Sequence, residues 1–202
     1  MGDVASSLVV DSFKDDFVNQ NITPEDFLSF AIENAQKRLI DEQTRLDAKK
    51  KMKTTAVALN ISDDKAFIVH SGDSRCYVFS RNKVLTRTID HSVPQMLALS
   101  NQIEESEIRN HPDRNIVLKV LGVDWETPQY EKQEPLKLKK CQAFLLCSDG
   151  FWELILEEKM CEFLKSSRTV EEWLLKMSEE VKLNGKGKRM DNFSAIAVWR
   201  ED

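Results

Sequence analysis

The hydrophobic period of this chain changes at Lys53, and that change limits the folds it can adopt. Ahead of it, Val4, Leu8, Val9, Phe13 and Phe17 recur at helical spacing and predict a helix over residues 3–18. Thr23, Pro24 and Asp26 then form a helix start, and Phe27, Ala31, Ala35, Leu39 and Leu46 carry a second stripe to about Lys50. Its polar far end reads as a solvated stalk. Beyond Lys53 the segments are short and rich in Val, Ile, Thr and Phe. "TTAVALNI" and "KAFIVHSG", joined by "SDD", pair as one hairpin, and "RCYVFS" and "KVLTRT", separated by Arg81 and Asn82, as another. The expectation is a meander of four strands after two helices.

From Asp90 to Gly122 there is no sustained alternation, so short helices and turns are expected. "AFLLC" at 143–147 is the next strand, and helices come after it at 156–165 and 169–183. The second opens on a Thr169/Glu172 capping box and buries Val170, Trp173, Leu174, Met177 and Val181. "NFSAIAVW" closes the pattern as a strand. The order of elements predicts one α+β domain over 1–202, its strands packed as one or two mainly antiparallel sheets.

Composition removes several function classes. A net charge of −5 gives no reason to expect a nucleic-acid surface, and the clearest local basic patch, Lys182, Lys186, Lys188 and Arg189, reads as a solvated loop or a substrate-steering patch. No run reaches the roughly 18 apolar residues that span a bilayer, so no membrane partner is expected. Four cysteines without a CxxC pair point to a reducing, cytoplasmic setting. Neither GxxxxGK[ST] nor a strand-linked GxGxxG is present, which disfavours a nucleotide-binding protein.

Three segments place an aspartate where a strand meets a loop: "HSGDSR" with Asp73, "CSDG" with Asp149 and "RMDNFSAIAVW" with Asp191. Singly, Asp149 and Asp191 read as caps and Asp73 as a turn residue paired with Arg75. Together, brought to one place, they form an all-oxygen cluster suited to Mg²⁺ or Mn²⁺. His70 reads as packed, His91 and His111 as loop-fixing, and the four tryptophans as packing residues, because no HxH or HExxH spacing suggests zinc.

Taken in order, "GDSRCYVF", "LTRTIDHS", "NQIEESEIRNHPDRNIVLKVLG", "LLCSDGFWELI" and "MDNFSAIAV" resemble the metal-dependent serine/threonine phosphatases of the protein phosphatase 2C (PP2C, PPM) family, bacterial type. The resemblance implies an α-β-β-α sandwich, two antiparallel sheets flanked by helices, with metals in a cleft at one edge. It implies that Asp149 and Asp191 are ligands of a dinuclear Mg²⁺/Mn²⁺ centre and Asp73 a ligand of a third ion. A metal-activated water would attack phosphorus in line, without a phosphoenzyme; Asn192 and "HPDRN" would be structural. The implied partners are a phosphoprotein substrate and a serine/threonine kinase or its targets.

There are two departures. Family members begin with strands that carry a phosphate-contacting arginine and a metal-bridging aspartate, whereas "MGDVASSLVVD" resembles the family's segment immediately after those strands. The expectation is therefore an N-terminally incomplete domain that holds fewer ions and is weakly active or inactive alone. Lys53 also stands where the family has a small residue near the core sheet. The alternative function is a non-enzymatic, phosphatase-like regulatory or protein-binding module.

Overall fold

The computed structural model describes residues 1–19, 22–49, 51–187 and 190–200. Two helices open it, α1 (Gly2–Asn19) and α2 (Pro24–Arg45). Thr23 caps α2, its Oγ1 accepting the Asp26 amide at 3.3 Å, and Pro24 takes the first turn, where no amide partner is needed. The predicted stalk is not there. The helix ends at Arg45, Asp47 turns left-handed at φ 50°, and Ala48 and Met52 fold back into the core. Lys50 lies outside the described residues.

The strands do not form one meander. β1 (Ala56–Ser62) and β2 (Lys65–Ser71) pair antiparallel in a first sheet, joined by two short strands, β5 (Glu131–Lys132) and β6 (Leu136–Lys137). β3 (Arg75–Ser80) and β4 (Lys83–Arg87) belong to a second sheet of order β4-β3-β7-β8, with β7 at Ala143–Cys147 and β8 at Ala195–Trp199. The chain crosses from one sheet to the other through Gly72, Asp73 and Ser74, so Asp73 sits at the seam. Gly72 is required there: φ is +106°, and a Cβ would lie 2.3 Å from Thr55 Cγ2.

Alternation along the strands sorts their side chains into layers. Ala66, Ile68, Cys76, Val78 and Phe144 meet between the sheets. Phe67 and Val69 face the other way, onto the α1/α2 stripe of Ala5, Val9, Phe27, Leu28, Ala31, Ile32, Ala35 and Leu39. Tyr77, Phe79 and Leu145 pack against α5 (Glu157–Ser166) and α6 (Val170–Gly185) through Met160, Trp173 and Met177. The result is the expected helix, sheet, sheet, helix stack. Burying each such large apolar side chain stabilises by about 1.5–3 kcal/mol.

The connection from β4 to β5 holds α3 (Val93–Leu99) and a 3₁₀ turn at Glu105–Asn110. Two buried amides on α2 fix its far end: Gln43 Nε2 donates to the Met52 and Gly122 carbonyls, and Gln36 exchanges bonds with Gly122 and Val123. Lys53 is exposed, so it does not disturb the core. β1 and β8 are sheet edges, and Ile196 on β8 is 63% exposed.

Candidate metal centre

Register brings the three aspartates to one end of the sandwich. Cys147 lies opposite both Arg75 of β3 and Ala195 of β8, so the turn before β3, the exit of β7 and the entry to β8 are neighbours. Asp73, Asp149 and Asp191 occupy those three segments. Asp149 begins the short helix α4 (Asp149–Trp152), and its Oδ1 accepts the Gly150 amide at 2.8 Å. The loop carrying Asp191 is fastened to the β7 exit twice: Ser148 N donates to Ser194 O, and Ser194 N to Ser148 Oγ. Gly150 makes this approach feasible, since a Cβ there would lie 2.6 Å from the Asn192 carbonyl oxygen.

These carboxylates feel one another. Burial pushes the Asp73 carboxyl up to about 7, with Asp149 and then Asp90 adding to the effect. Burial raises Asp149 too, opposed by the Gly150 amide and reinforced by Asp191. Glu153 is raised by burial, against the pull of Arg114 at 3.3 Å. A buried seam carboxylate, a half-buried one and an exposed one thus share a field that a divalent cation would relieve. The donor set is all oxygen and suits Mg²⁺ or Mn²⁺. Beside it Asp191, Gly150, Glu153, Arg109 and Arg114 line a cleft of about 430 Å³. Arg109 Nη1 is buried without a partner.

A tighter ligand cluster lies elsewhere. The ligand atoms of His70, His91 and Glu131 all fall within 4.8 Å of one another. Its geometry does not favour a metal. The Gly72 amide donates to His91 Nδ1, which leaves the proton of the neutral ring on Nε2, the atom that would have to bind. The two rings are stacked at 4.5 Å, nearly parallel, so their in-plane lone pairs do not converge. Burial holds both imidazoles neutral, His91 down to about 3. Their bonds are structural: His70 Nε2 donates to Ile89 O, holding β2 to the segment after β4. His111 Nδ1 accepts the Asp113 amide within its own loop.

Arg75 does not pair with Asp73. It makes a bidentate ion pair with Asp90 at 2.9 and 2.7 Å, fully enclosed, and donates to Tyr77 Oη. Tyr77 and Arg109 both donate to Glu157, and the guanidinium groups of Arg75 and Arg109 both lie near the Trp152 ring, at 3.4 and 5.4 Å from its centroid. The Trp152 Nε1–H reaches back to the Asp73 carbonyl at 2.9 Å. This network behind the aspartates was not readable from spacing, because its members come from five separate segments. The one local signal was an Arg two residues after Asp73, with a polar "TIDHS" to receive it.

Comparison with known proteins decides the family. The protein phosphatase 2C family model matches residues 2–186. The chain belongs to that family. It is a PP2C-type protein serine/threonine phosphatase chain, and its similarity to curated members is extensive. The serine/threonine phosphatase Stp of Listeria monocytogenes is 31% identical over 177 residues, 85% of this chain and 69% of the relative. A 2C-type phosphatase of Streptococcus pyogenes is 26% identical over 99% of this chain and 80% of its own length. Among solved structures, Stp1 from Staphylococcus aureus superposes with a TM-score of 0.90 at 28% identity, covering 100% of this phosphatase and 79% of that chain. The helix, sheet, sheet, helix stack is therefore the PP2C fold.

Proposed function

We propose that this phosphatase hydrolyses phosphoserine and phosphothreonine in proteins at the end of the sandwich where Asp73, Asp149 and Asp191 meet, with residues 1–202 acting as one domain. The observation that carries the reading is the strand register that brings the segments of Asp73, Asp149 and Asp191 to one end of the sandwich, where burial, reinforced by Asp149, lifts Asp73 to about 7. Asp149 and Asp191 would hold a Mg²⁺ or Mn²⁺ centre and Asp73 a further ion. Bound there, such ions lower the pKa of a water and neutralise phosphoryl oxygens.

The remaining work falls to the chain itself. Asp149 and Asp191 are held at fixed separation by the Ser148–Ser194 bonds, so they need little reorganisation on binding. Arg109 and Arg114 line the adjoining cleft and supply the positive charge that would attract the oxyanions of a phosphorylated side chain. Trp152 and the Arg75–Asp90 pair keep the Asp73 turn registered against α4.

The partners that fit this chemistry are phosphoproteins, among them the targets of a serine/threonine kinase. Four free cysteines support a reducing compartment such as the cytoplasm. No helix among the described residues is long and apolar enough to cross a membrane. The test is Mn²⁺-dependent phosphate release from a phosphothreonine peptide by this chain. Release that disappears in Asp149→Ala supports the assignment; release that persists in Asp149→Ala removes Asp149 from the centre.

A further inference from the structure

The opposite end of β7 carries the reverse charge. There the β3–β4 turn, the segment before β7 and the end of β8 enclose a cavity of about 480 Å³. Arg81, Lys139, Lys140 and Arg200 line it, and no carboxylate does among the described residues. Among the described residues none of Arg81, Lys139 and Lys140 forms an ion pair, in a chain whose net charge is −5. Glu201 and Asp202, which come after Arg200, lie outside the described residues.

The frame beneath these cations is rigid. Gln142 Nε2 donates to Asn82 Oδ1, and Asn82 N donates to Gln142 Oε1. Gln142 also donates its amide to Phe79 O and accepts that of Arg200, so one residue ties the turn, β7 and β8 together. The turn itself is informative. Arg81 and Asn82 both have positive φ, 51° and 59°. The first such position in a two-residue hairpin favours Asn, Asp or Gly, and a long side chain there costs backbone strain. Arg81 accepts that strain and is among the residues that line the cavity.

We propose that this cavity is an exosite for a second anionic group, carboxylate or phosphate, on the same extended protein segment whose phosphorylated residue enters the carboxylate cleft. The inference rests on the phosphatase reading above. The two places lie at opposite ends of β8, whose outer edge is open, and a peptide running along that edge passes between them over about 20 Å at roughly 3.4 Å per residue. An extended peptide covers that in about six or seven residues. Engaging both places makes the second contact intramolecular and raises affinity without altering chemistry at the cleft.

The test is fluorescence anisotropy at low salt with Mn²⁺ present and phosphonate analogues in place of the phosphate esters, so that no turnover occurs. Three labelled peptides are compared: one phosphothreonine alone, the same with phosphoserine six residues away on either side, and the same with glutamate there. The second anion is expected to tighten binding about tenfold, an electrostatic gain that falls with salt. The phosphoserine and glutamate arms tell which anion it prefers. Arg81→Gly/Lys139→Ala/Lys140→Ala should remove the gain while binding of the singly phosphorylated peptide and turnover of p-nitrophenyl phosphate stay unchanged. A gain that survives in this variant, or that Lys182→Ala/Lys186→Ala removes equally, overturns the exosite. Failure of the wild-type chain to turn over p-nitrophenyl phosphate with Mn²⁺, with the gain intact, would overturn the proposal that residues 1–202 are active by themselves and leave the anion site standing.

Discussion

The Arg75 guanidinium lies 3.4 Å from the centroid of the Trp152 ring, and the same ring donates its N–H to the backbone of Asp73. A cation held by Asp90 thus clamps the tryptophan that holds one proposed metal ligand, on the helix that begins with another. Desolvated stacking of this kind contributes about 2 kcal/mol.

Trp152→Phe should separate positioning from packing. The ring still stacks on Arg75, but the Asp73 carbonyl loses its donor. Stability is expected to fall by about 1–3 kcal/mol, and Mn²⁺ should bind several-fold more weakly. Urea unfolding and Mn²⁺ titration by calorimetry measure the two effects. Trp152→Ala should cost about 3–5 kcal/mol.

Asp90→Ala leaves Arg75 charged and enclosed, and should cost about 3–5 kcal/mol. Adding Arg75→Met removes the stranded charge, so the double variant should be more stable than Asp90→Ala alone. A double-mutant cycle from denaturant midpoints gives the coupling. Additive effects would show that the pair does not act as a unit.

Stability of the metal-free chain should depend on Asp73. Its carboxyl titrates near 7 when folded against 3.8 ordinarily, so the native state binds this proton more tightly than the unfolded state does. Its contribution is complete below about 4 and is lost as pH rises to about 7. Asp149 and Glu153, also raised by burial, act in the same direction, whereas His70 and His91, lowered by burial, act in the opposite one. Melting curves in EDTA from pH 5 to 8 should therefore show Asp73→Asn gaining on wild type as pH rises. Mn²⁺ should narrow that difference.

Gly150→Ala puts a methyl 2.6 Å from the Asn192 carbonyl oxygen and pushes the Asp149 and Asp191 segments apart. Overpacking of this kind costs about 1–3 kcal/mol. Phosphate release should fall by at least about tenfold, since a displacement of about 1 Å at a reacting centre has that scale of effect. Retained activity would show that the two segments need not approach so closely.

β1 and β8 present open edges, and Ile196 stands exposed on β8. Such edges template pairing with other strands. The chain is expected to self-associate and to bind a hydrophobic dye, and Ile196→Lys should reduce both, as read by sedimentation velocity and dye fluorescence.

The long periodic elements were legible: α1, α2 as far as Arg45, α6 and β1 to β4 announce themselves by stripe or alternation. The division of four consecutive strands between two sheets was not, because "SGDS" looks like any turn and the crossing is decided by what packs on each face. β5 and β6, two residues each, carry no pattern at all. The end of α2 was hidden as well, because Ala48 and Met52 are buried by contacts with residues far along the chain. At the site, strand-end position marked Asp73, Asp149 and Asp191. Arg75 choosing Asp90 over neighbouring Asp73, and Trp152 reaching Asp73, are tertiary choices that spacing does not record.

The fastening of the Asp191 loop through Ser194 and β8 bears on when the protein acquires its chemistry. β8 is synthesised after the other seven described strands, yet the cluster is not assembled without it. During translation, a chain whose β8 is still within the ribosome has Asp73 and Asp149 but no third carboxylate held beside them. On the proposed assignment, a growing chain at that stage would lack the Asp191 ligand, and the centre would be completed only once β8 has emerged and seated against β7.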